Sequence, residues 1–325
     1  MTESRQAMRR KKKKPRKFLK VISILIVLLL LAGGGYAYYV YHAVKQTANQ
    51  MHIDLKRQSK NPALNAGKPI NILLLGVDER KGDRGRSDTI IIASLNPKTK
   101  SMLLTSIPRD TYVNLPGHGA QKINAAYAFG NVDMAVDTVE KLASIHIDYV
   151  AKINFNGLKQ LVNAVGGVTV DNDLDWYDEG YYKKGYHYKK GKIHLDGAQA
   201  LGYVRMRHLD NRGDFGRNKR QRQVLAAVVD KAAGMGGITH MQDILKTLGS
   251  NVKTSMTFDD MKGIAQNYRN CREHIYNYEV YGVPQTINRI SYVVVSDAEK
   301  QKVHNMIQEE QDGTLDMSKY QHKND

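Results

Sequence analysis

The chain has 325 residues, 42% hydrophobic and 25% charged, with a formal net charge of +17. That length allows one large domain or two small ones. The lone cysteine, Cys271, excludes an intramolecular disulfide, so stability must come from a packed core, and no His-bearing motif around it marks a nucleophile.

Roughly half of the net charge sits in residues 1–20, where Arg and Lys are opposed by Glu3 alone. A basic tail could suit nucleic acid, but the apolar segment next to it argues against that role. Residues 21–41 form an uncharged apolar run of about 20 residues, enough to span a bilayer, and no nucleic-acid recognition motif accompanies the tail. Basic residues before the span and few after it put the N-terminus in the cytoplasm. The tail would also attract anionic membrane lipid. Tyr36, Tyr38, Tyr39 and Tyr41 fall where an outer aromatic belt would sit. A cleaved signal peptide shares the short apolar centre, yet here the glycines run into bulky tyrosines rather than a small-x-small site. A retained signal-anchor is expected, with the chain beyond residue 42 outside the membrane.

Residues 42–68 are polar and punctuated by Asn61-Pro62 and Gly67-Lys68-Pro69, which reads as a stalk. A folded region is expected from residue 69 to 307, then a polar tail over 308–325 that has the composition of disorder. Ile70–Val77 is an apolar run of strand length, broken only by Asn71, as for a strand buried on both faces. Residues 89–95 and 102–107 are further strands, as are Tyr149–Asn154 and 167–170. Helical periodicity appears over 131–144, 156–165 and 217–233, the last with Val224, Leu225, Val228 and Val229 on one side. Residues 257–295 read as helix plus strand. The alternation predicts a single α/β/α domain with a central mixed sheet flanked by helices, preceded by one transmembrane helix. Residues 171–190 interleave Trp176 and five tyrosines with charges, suiting either stacking surfaces for sugar rings or an amphipathic hairpin packed on the domain.

Two strands end in charge. Ile70–Val77 runs into Asp78, Glu79 and Arg80, and the 102–107 strand into Pro108, Arg109 and Asp110; Arg86, Ser87 and Asp88 lead into the strand between. Ligands of open α/β sheets gather at strand carboxyl ends. Asp78 and Asp88 could hold Mg²⁺, which takes one or two carboxylates plus phosphate oxygens and waters, or could each pair locally with Arg80 or Arg86. Farther on, residues 203–223 read YVRMRHLDNRGDFGRNKRQRQ. Arg205 and Arg207, two apart, point the same way on an extended segment, and Arg217, Arg220 and Gln221 share a helix face. Guanidiniums grip phosphate or carboxylate in a planar fork. Asp214 stands among them as one acid that looks positioned rather than incidental, and it could be the N-cap of a helix starting near Phe215.

ILLLGVDER, GRSDT, SIPRDTYV, KINAAYAFG, DGAQALGYVRMR and DFGRNKRQRQ occur in that order. Together they resemble the LytR–CpsA–Psr family over about residues 70–235, closest to its teichoic-acid-transferring members. The resemblance implies a Gram-positive enzyme, acting outside the membrane, that moves an anionic glycopolymer from a polyprenyl-pyrophosphate carrier onto peptidoglycan. It implies Mg²⁺, with Mn²⁺ as a substitute, on Asp78 and Asp88. It assigns Arg86, Arg109, Arg205, Arg207, Arg217 and Gln221 to the pyrophosphate, with Lys122 of the KIN motif as a further contact. Asp214 is the implied base and Asp110 the runner-up. Gln221-Arg222-Gln223 departs from the two successive glutamines of many members, leaving Arg222 without a role. Two other readings keep part of this site: a polyprenyl-pyrophosphate hydrolase using water, and a non-catalytic membrane-tethered envelope regulator.

Overall fold

The computed structural model describes residues 31, 34–35, 38–39, 41–56, 64, 67–79, 85–235 and 244–320. The chain divides into two units, residues 1–43 and 44–325. The basic tail and most of the apolar run lie outside the described residues, and among the described residues no helix is long and apolar enough to cross a membrane.

The second unit is mixed α/β. Its strands are β1 (Ile70–Val77), β2 (Ser87–Asn96), β3 (Ser101–Ser106), β4 (Tyr112–Leu115), β5 (Gly119–Lys122), β6 (Tyr149–Asn154), β7 (Val168–Asn172), β8 (Trp176–Tyr177), β9 (His187–Tyr188), β10 (Gly191–Leu195), β11 (Val252–Thr254), β12 (His274–Glu279), β13 (Val283–Ile287) and β14 (Ile290–Val294). The main helices are α1 (Ala125–Ala143), α2 (Phe155–Ala164), α3 (Gly197–Arg205), α4 (Asp214–Gly234), α5 (Phe258–Asn267) and α6 (Asp297–Asp312). The central sheet has the order β11-β6-β1-β2-β3-β12. β1 runs parallel to β6 and β3 parallel to β12, while β2 runs antiparallel to both β1 and β3. The carboxyl ends of β1, β3, β6 and β12 therefore share one edge with the start of β2.

β1 is apolar but for the buried Asn71 because both of its faces are covered. Leu73 and Leu75, with Ile90, Ile92 and Leu103, pack under Val136 and Val139 of α1 and Met306 and Ile307 of α6. On the opposite face, Ile72, Ile91, Ala93 and Leu104 meet Leu225 and Val229 of α4 and Met261 and Ile264 of α5. A third cluster joins Val162, Trp176, Tyr188, Tyr203 and Val224. Trp176 and Tyr188 stack at 4.0 Å with both rings buried. The β8–β9 segment is thus an amphipathic hairpin packed on the domain.

Helix starts follow their side-chain caps. Asn154 accepts from the Gly157 amide, Asp196 and Gln199 form a reciprocal capping box, and Ser296 accepts from the Glu299 amide. α1 begins six residues earlier than its periodicity suggests, because Asn131 adopts φ 59° and breaks the pattern inside the helix.

The expected stalk, in which the sequence allows a helical stretch over 43–58, and the expected C-terminal tail are both partly built into the domain. Residues 44–51 are helical with Val44, Ala48 and Met51 buried, and the Ile53 amide donates to the Thr254 carbonyl at 2.9 Å. Beyond residue 308, expected to be disordered, α6 continues to Asp312 and ends on Gly313 at φ 78°, with Tyr320 buried. The polarity there belongs partly to Glu310, which is 1% exposed and accepts from the Ser101 hydroxyl at 2.6 Å. Burial pushes the Glu310 carboxyl up to about 7, against the Ser101 hydrogen bond that favours its ionised form. A raised carboxyl pKa means that this group's contribution to stability is fullest at pH below about 4.3 and falls as pH rises toward 7. Burial also pushes the Glu279 carboxyl up to about 7, adding a decline in the same window, so Glu310→Gln should lessen the fall seen in melting curves between pH 4 and 7 by about 3 kcal/mol rather than abolish it. An unchanged pH slope in that variant would contradict the assignment.

Candidate active site

The shared sheet edge opens onto a cavity of about 430 Å³. Its apolar part lies between the sheet, through Leu74, Ile91, Ala151 and Ile153, and the helices, through Leu158 and Leu161 of α2 and Val224, Leu225 and Val228 of α4. The 89–95 strand and the 156–165 helix, each readable from sequence as ordinary core, both contribute. At its mouth stand Asp78, Asp88, Arg109, Arg205, Arg207, Arg217 and Gln221, together with Lys152, Asn154, Tyr181 and His208.

Backbone geometry places these groups. Asp78 follows the last residue of β1. Asp88 is the extra residue of a bulge: Gly76 pairs with Thr89 and Val77 with Ser87, leaving Asp88 with no partner across the strands. Bulges re-aim side chains, and this one brings Asp88 onto Arg109, Nη1 to Oδ1 at 3.1 Å, rather than onto Arg86. Gly76 makes the close pairing possible, since a Cβ there would stand 2.8 Å from Thr89 Cβ.

Arg205 is not on an extended segment. The capped helix α3 runs to Arg205, Met206 turns out at φ −57°, ψ 132°, and Arg207 follows, so one turn of direction sends both guanidiniums to the same mouth. Arg217 and Gln221 share a face of α4 and reach the cavity, as the i, i+4 spacing requires. Arg220 departs from that face. It is 1% exposed, donates to Asp210 Oδ2 at 2.6 Å and to the Met206 carbonyl at 2.7 Å, and so anchors the turn behind the site. Arg222 is likewise structural, paired with Glu279 at 3.3 Å.

Asp214 is not the N-cap. Gly213 occupies that position at φ 59°, with no side-chain cap, and Asp214 is the first helical residue. Its carboxylate meets Arg207 Nε at 2.8 Å, Arg217 Nη1 at 3.3 Å and Arg109 Nε at 3.7 Å. It is the hub that spaces three guanidiniums contributed by three segments. Burial lowers the pKa of Arg217, against the attraction of Asp214; at Arg109 burial works in the same sense but Asp88 and Asp214 outweigh it and raise the pKa. Arg109 Nε and Arg217 Nε are buried without a hydrogen-bond partner among the described residues. Buried donors of that kind fit an anionic ligand.

Four predicted residues are not among those lining the cavity, and one of them is Asp214, which is joined to it through Arg109, Arg207 and Arg217. Arg86 is exposed just before β2. Lys122 and Asp110 pair with each other at 2.9 Å beside Arg109. Sequence reasoning also passed over Lys152, whose Nζ donates to Glu79 Oε1 and the Tyr127 hydroxyl at 2.6 Å each and so fixes the end of β1. Its position near the end of a recognisable strand, as with Asn154, was the available signal. As candidate donors for a metal, Asp78 and Asp88 line one cavity beside the arginines, and a pair of carboxylates next to a phosphate site is a donor set that Mg²⁺ takes. Among the described residues no cluster of three or more His, Cys, Asp or Glu forms a closed cage.

The LytR_cpsA_psr family profile matches residues 38–309. A Bacillus mycoides protein described as polyisoprenyl-teichoic acid–peptidoglycan teichoic acid transferase TagU is 44% identical over 279 residues, 84% of this chain and 90% of that one. Among solved structures, protein gbs0355 of Streptococcus agalactiae aligns with a TM-score of 0.71 at 36% identity, covering 78% of this chain and 92% of that one. A structure of TagT bound to LI-WTA aligns with a TM-score of 0.69 at 30% identity, covering 80% and 100%. The chain is accordingly a transferase. It belongs to the LytR_cpsA_psr family.

Proposed function

We propose that the enzyme transfers an anionic glycopolymer, wall teichoic acid above all, from a polyprenyl-pyrophosphate carrier to peptidoglycan. It would be held by its N-terminal apolar run at the cell membrane of a Gram-positive bacterium, N-terminus cytoplasmic and catalytic domain outside. The single observation that carries this reading is the joining of an apolar groove to a mouth of four arginines. Such a cleft suits one molecule that is both lipid and strongly anionic, because an uncompensated charge in a low-dielectric site costs several kcal/mol.

In this mechanism Arg109, Arg205, Arg207 and Arg217 hold the pyrophosphate oxygens and Gln221 donates beside them, while the chain lies along Leu158, Leu161 and Val228. Mg²⁺, or Mn²⁺ in its place, on Asp78 and Asp88 would supply further positive charge to the same oxygens. The acceptor hydroxyl attacks the phosphorus nearest the glycan. The bond from that phosphorus to the bridging oxygen breaks, and polyprenyl phosphate leaves with the electron pair. Catalysis is then stabilisation of charge growing on the leaving phosphate, by guanidiniums already in place. Asp214 takes the proton of the acceptor hydroxyl; phosphate oxygens replace it as partner of its arginines, which frees the carboxylate to act.

Asp214→Asn is expected to lower kcat by about 10²- to 10⁴-fold. KM for the donor should be unchanged or lower, because the same three guanidiniums lose a competitor. A rise in KM with kcat intact would make Asp214 a binding residue only. The reading as a whole is tested with the full-length chain in detergent, Mg²⁺, a lipid-linked anionic glycan and peptidoglycan oligomers. Glycan joined to the oligomer by a phosphodiester is the expected product. Release of glycan phosphate at the same rate without acceptor would make the enzyme a hydrolase.

A further inference from the structure

Arg205 differs from the other arginines of the mouth in what holds it. Arg109, Arg207 and Arg217 contact carboxylates, whereas Arg205 lies between two aromatic rings, its Cζ 4.8 Å from the Phe155 centroid and 5.0 Å from the Tyr181 centroid. Both rings line the cavity with it. Guanidiniums stack on aromatic faces, which restrains the plane of the fork without neutralising its charge. An arginine held in this way keeps its donors free for an incoming anion, where one held by a carboxylate must exchange partners.

The two rings reach Arg205 differently. Phe155 opens α2, directly after β6 of the central sheet. Tyr181 comes from the tip of the β8–β9 hairpin, a loop that would otherwise be a poor support. Asp178, 2% exposed, makes it rigid: Oδ1 accepts from the amides of Gly180 and Tyr181 at 3.1 and 3.0 Å, and Oδ2 from Tyr182 and Lys183 at 2.6 and 2.7 Å. The loop is then pressed onto α3 at Gly202, where a Cβ would lie 2.7 Å from Tyr182 Cβ and 2.4 Å from the Tyr188 hydroxyl. A mid-helix glycine costs about 1 kcal/mol relative to alanine; here it admits the loop one turn before Arg205.

We infer that Phe155 and Tyr181 are positioning residues that clamp the Arg205 guanidinium as the pre-set jaw of the anion site, and that Asp178 fixes the loop delivering Tyr181. This rests on the reading of the cleft as a pyrophosphate site. The aromatic segment 171–190 thereby acts on the head group through Arg205, not as a stacking surface for sugar.

The test is calorimetric binding of farnesyl pyrophosphate with Mg²⁺ to the full-length chain in detergent, with melting temperatures read in parallel. Tyr181→Leu is expected to weaken binding about tenfold and Tyr181→Phe by no more than about twofold, since only the first removes the ring. Asp178→Asn, which disturbs the Oδ2 pair of hydrogen bonds, should follow Tyr181→Leu. In an Arg205→Ala background, Tyr181→Leu should have no further effect. Equal losses in Tyr181→Phe and Tyr181→Leu, or additive losses in the double variant, would overturn the clamp. So would weakening by Tyr181→Leu confined to a glycan-bearing donor, which would return the ring to the sugar. Arg109→Ala separates the two levels of inference. If it binds farnesyl pyrophosphate like the parent, the cleft reading fails; if it loses binding while Tyr181→Leu does not, only the clamp fails.

Discussion

Arg109→Ala is expected to reduce kcat/KM for glycan transfer by about 10²- to 10³-fold, the scale seen when one pre-placed donor is taken from developing charge. The loss is expected to be large because Arg109 contacts two carboxylates, Asp88 of the mouth at 3.1 Å and Asp214 at 3.7 Å. Its removal takes a positive charge from the leaving phosphate and leaves those two carboxylates facing the same anion. Arg109→Lys should recover little, since an ammonium cannot present a planar fork to two partners. Steady-state assays of both variants check this, with melting curves to show that the domain is intact. Transfer at parental rates by Arg109→Ala would remove this residue from the site.

The second large effect is on stability. Asp210→Asn is expected to cost about 3–5 kcal/mol, the scale for breaking a buried ion pair and leaving one partner charged. That corresponds to a fall in Tm of roughly 10 °C for a domain of this size. Asp210 and Arg220 are each 1% exposed at the side chain and meet at 2.6 Å; Arg212 adds bonds from Nε and Nη2 to the same carboxylate at 2.9 Å each. Gly216 is moulded to this group, as a Cβ there would lie 1.8 Å from Asp210 Oδ2. Burial alone would raise the Asp210 pKa, but the hydrogen bonds from Arg212 and Arg220 prevail and hold it at about 2. With the folded value depressed, its stabilisation is present above about pH 4 and is lost as pH falls toward 2. Acid melts of the parent should show this loss, and Asp210→Asn should lack it. A variant as stable as the parent at pH 7 would show that the pair does not hold the turn.

What the sequence could convey depended on the range of the forces involved. Ile70–Val77 was legible to the residue because a strand covered on both faces needs a nearly unbroken apolar run, interrupted here only by Asn71. The gathering of Asp78, Asp88 and Arg109 was legible because strand ends are where charge interrupts such runs. The bulge that turns Asp88 onto Arg109 was not, since it depends on the register between two strands. Arg220 shows the limit of periodicity: spacing alone puts it near Arg217 and Gln221, but its destination was decided by Asp210, ten residues earlier in a turn with no pattern of its own. Asp214 looked like a cap because an acid at a helix start usually is one, and Gly213 at φ 59° moved the cap back by one residue. The cavity could not be read at all. Leu158, Leu161, Val224 and Val228 carry the same pattern whether they meet a neighbouring side chain or an open groove.

The central claim is that one cleft divides a lipid pyrophosphate between arginines and an apolar groove. A crystal structure of the full-length chain with a polyprenyl pyrophosphate and Mg²⁺ tests it most directly. Pyrophosphate oxygens are expected within hydrogen-bond distance of Arg109, Arg205, Arg207 and Arg217, and the prenyl chain between Ile91 and Ile153 of the sheet and Leu158 and Val228 of the helices. A head group bound away from these arginines, or a chain lying outside the groove, would contradict it.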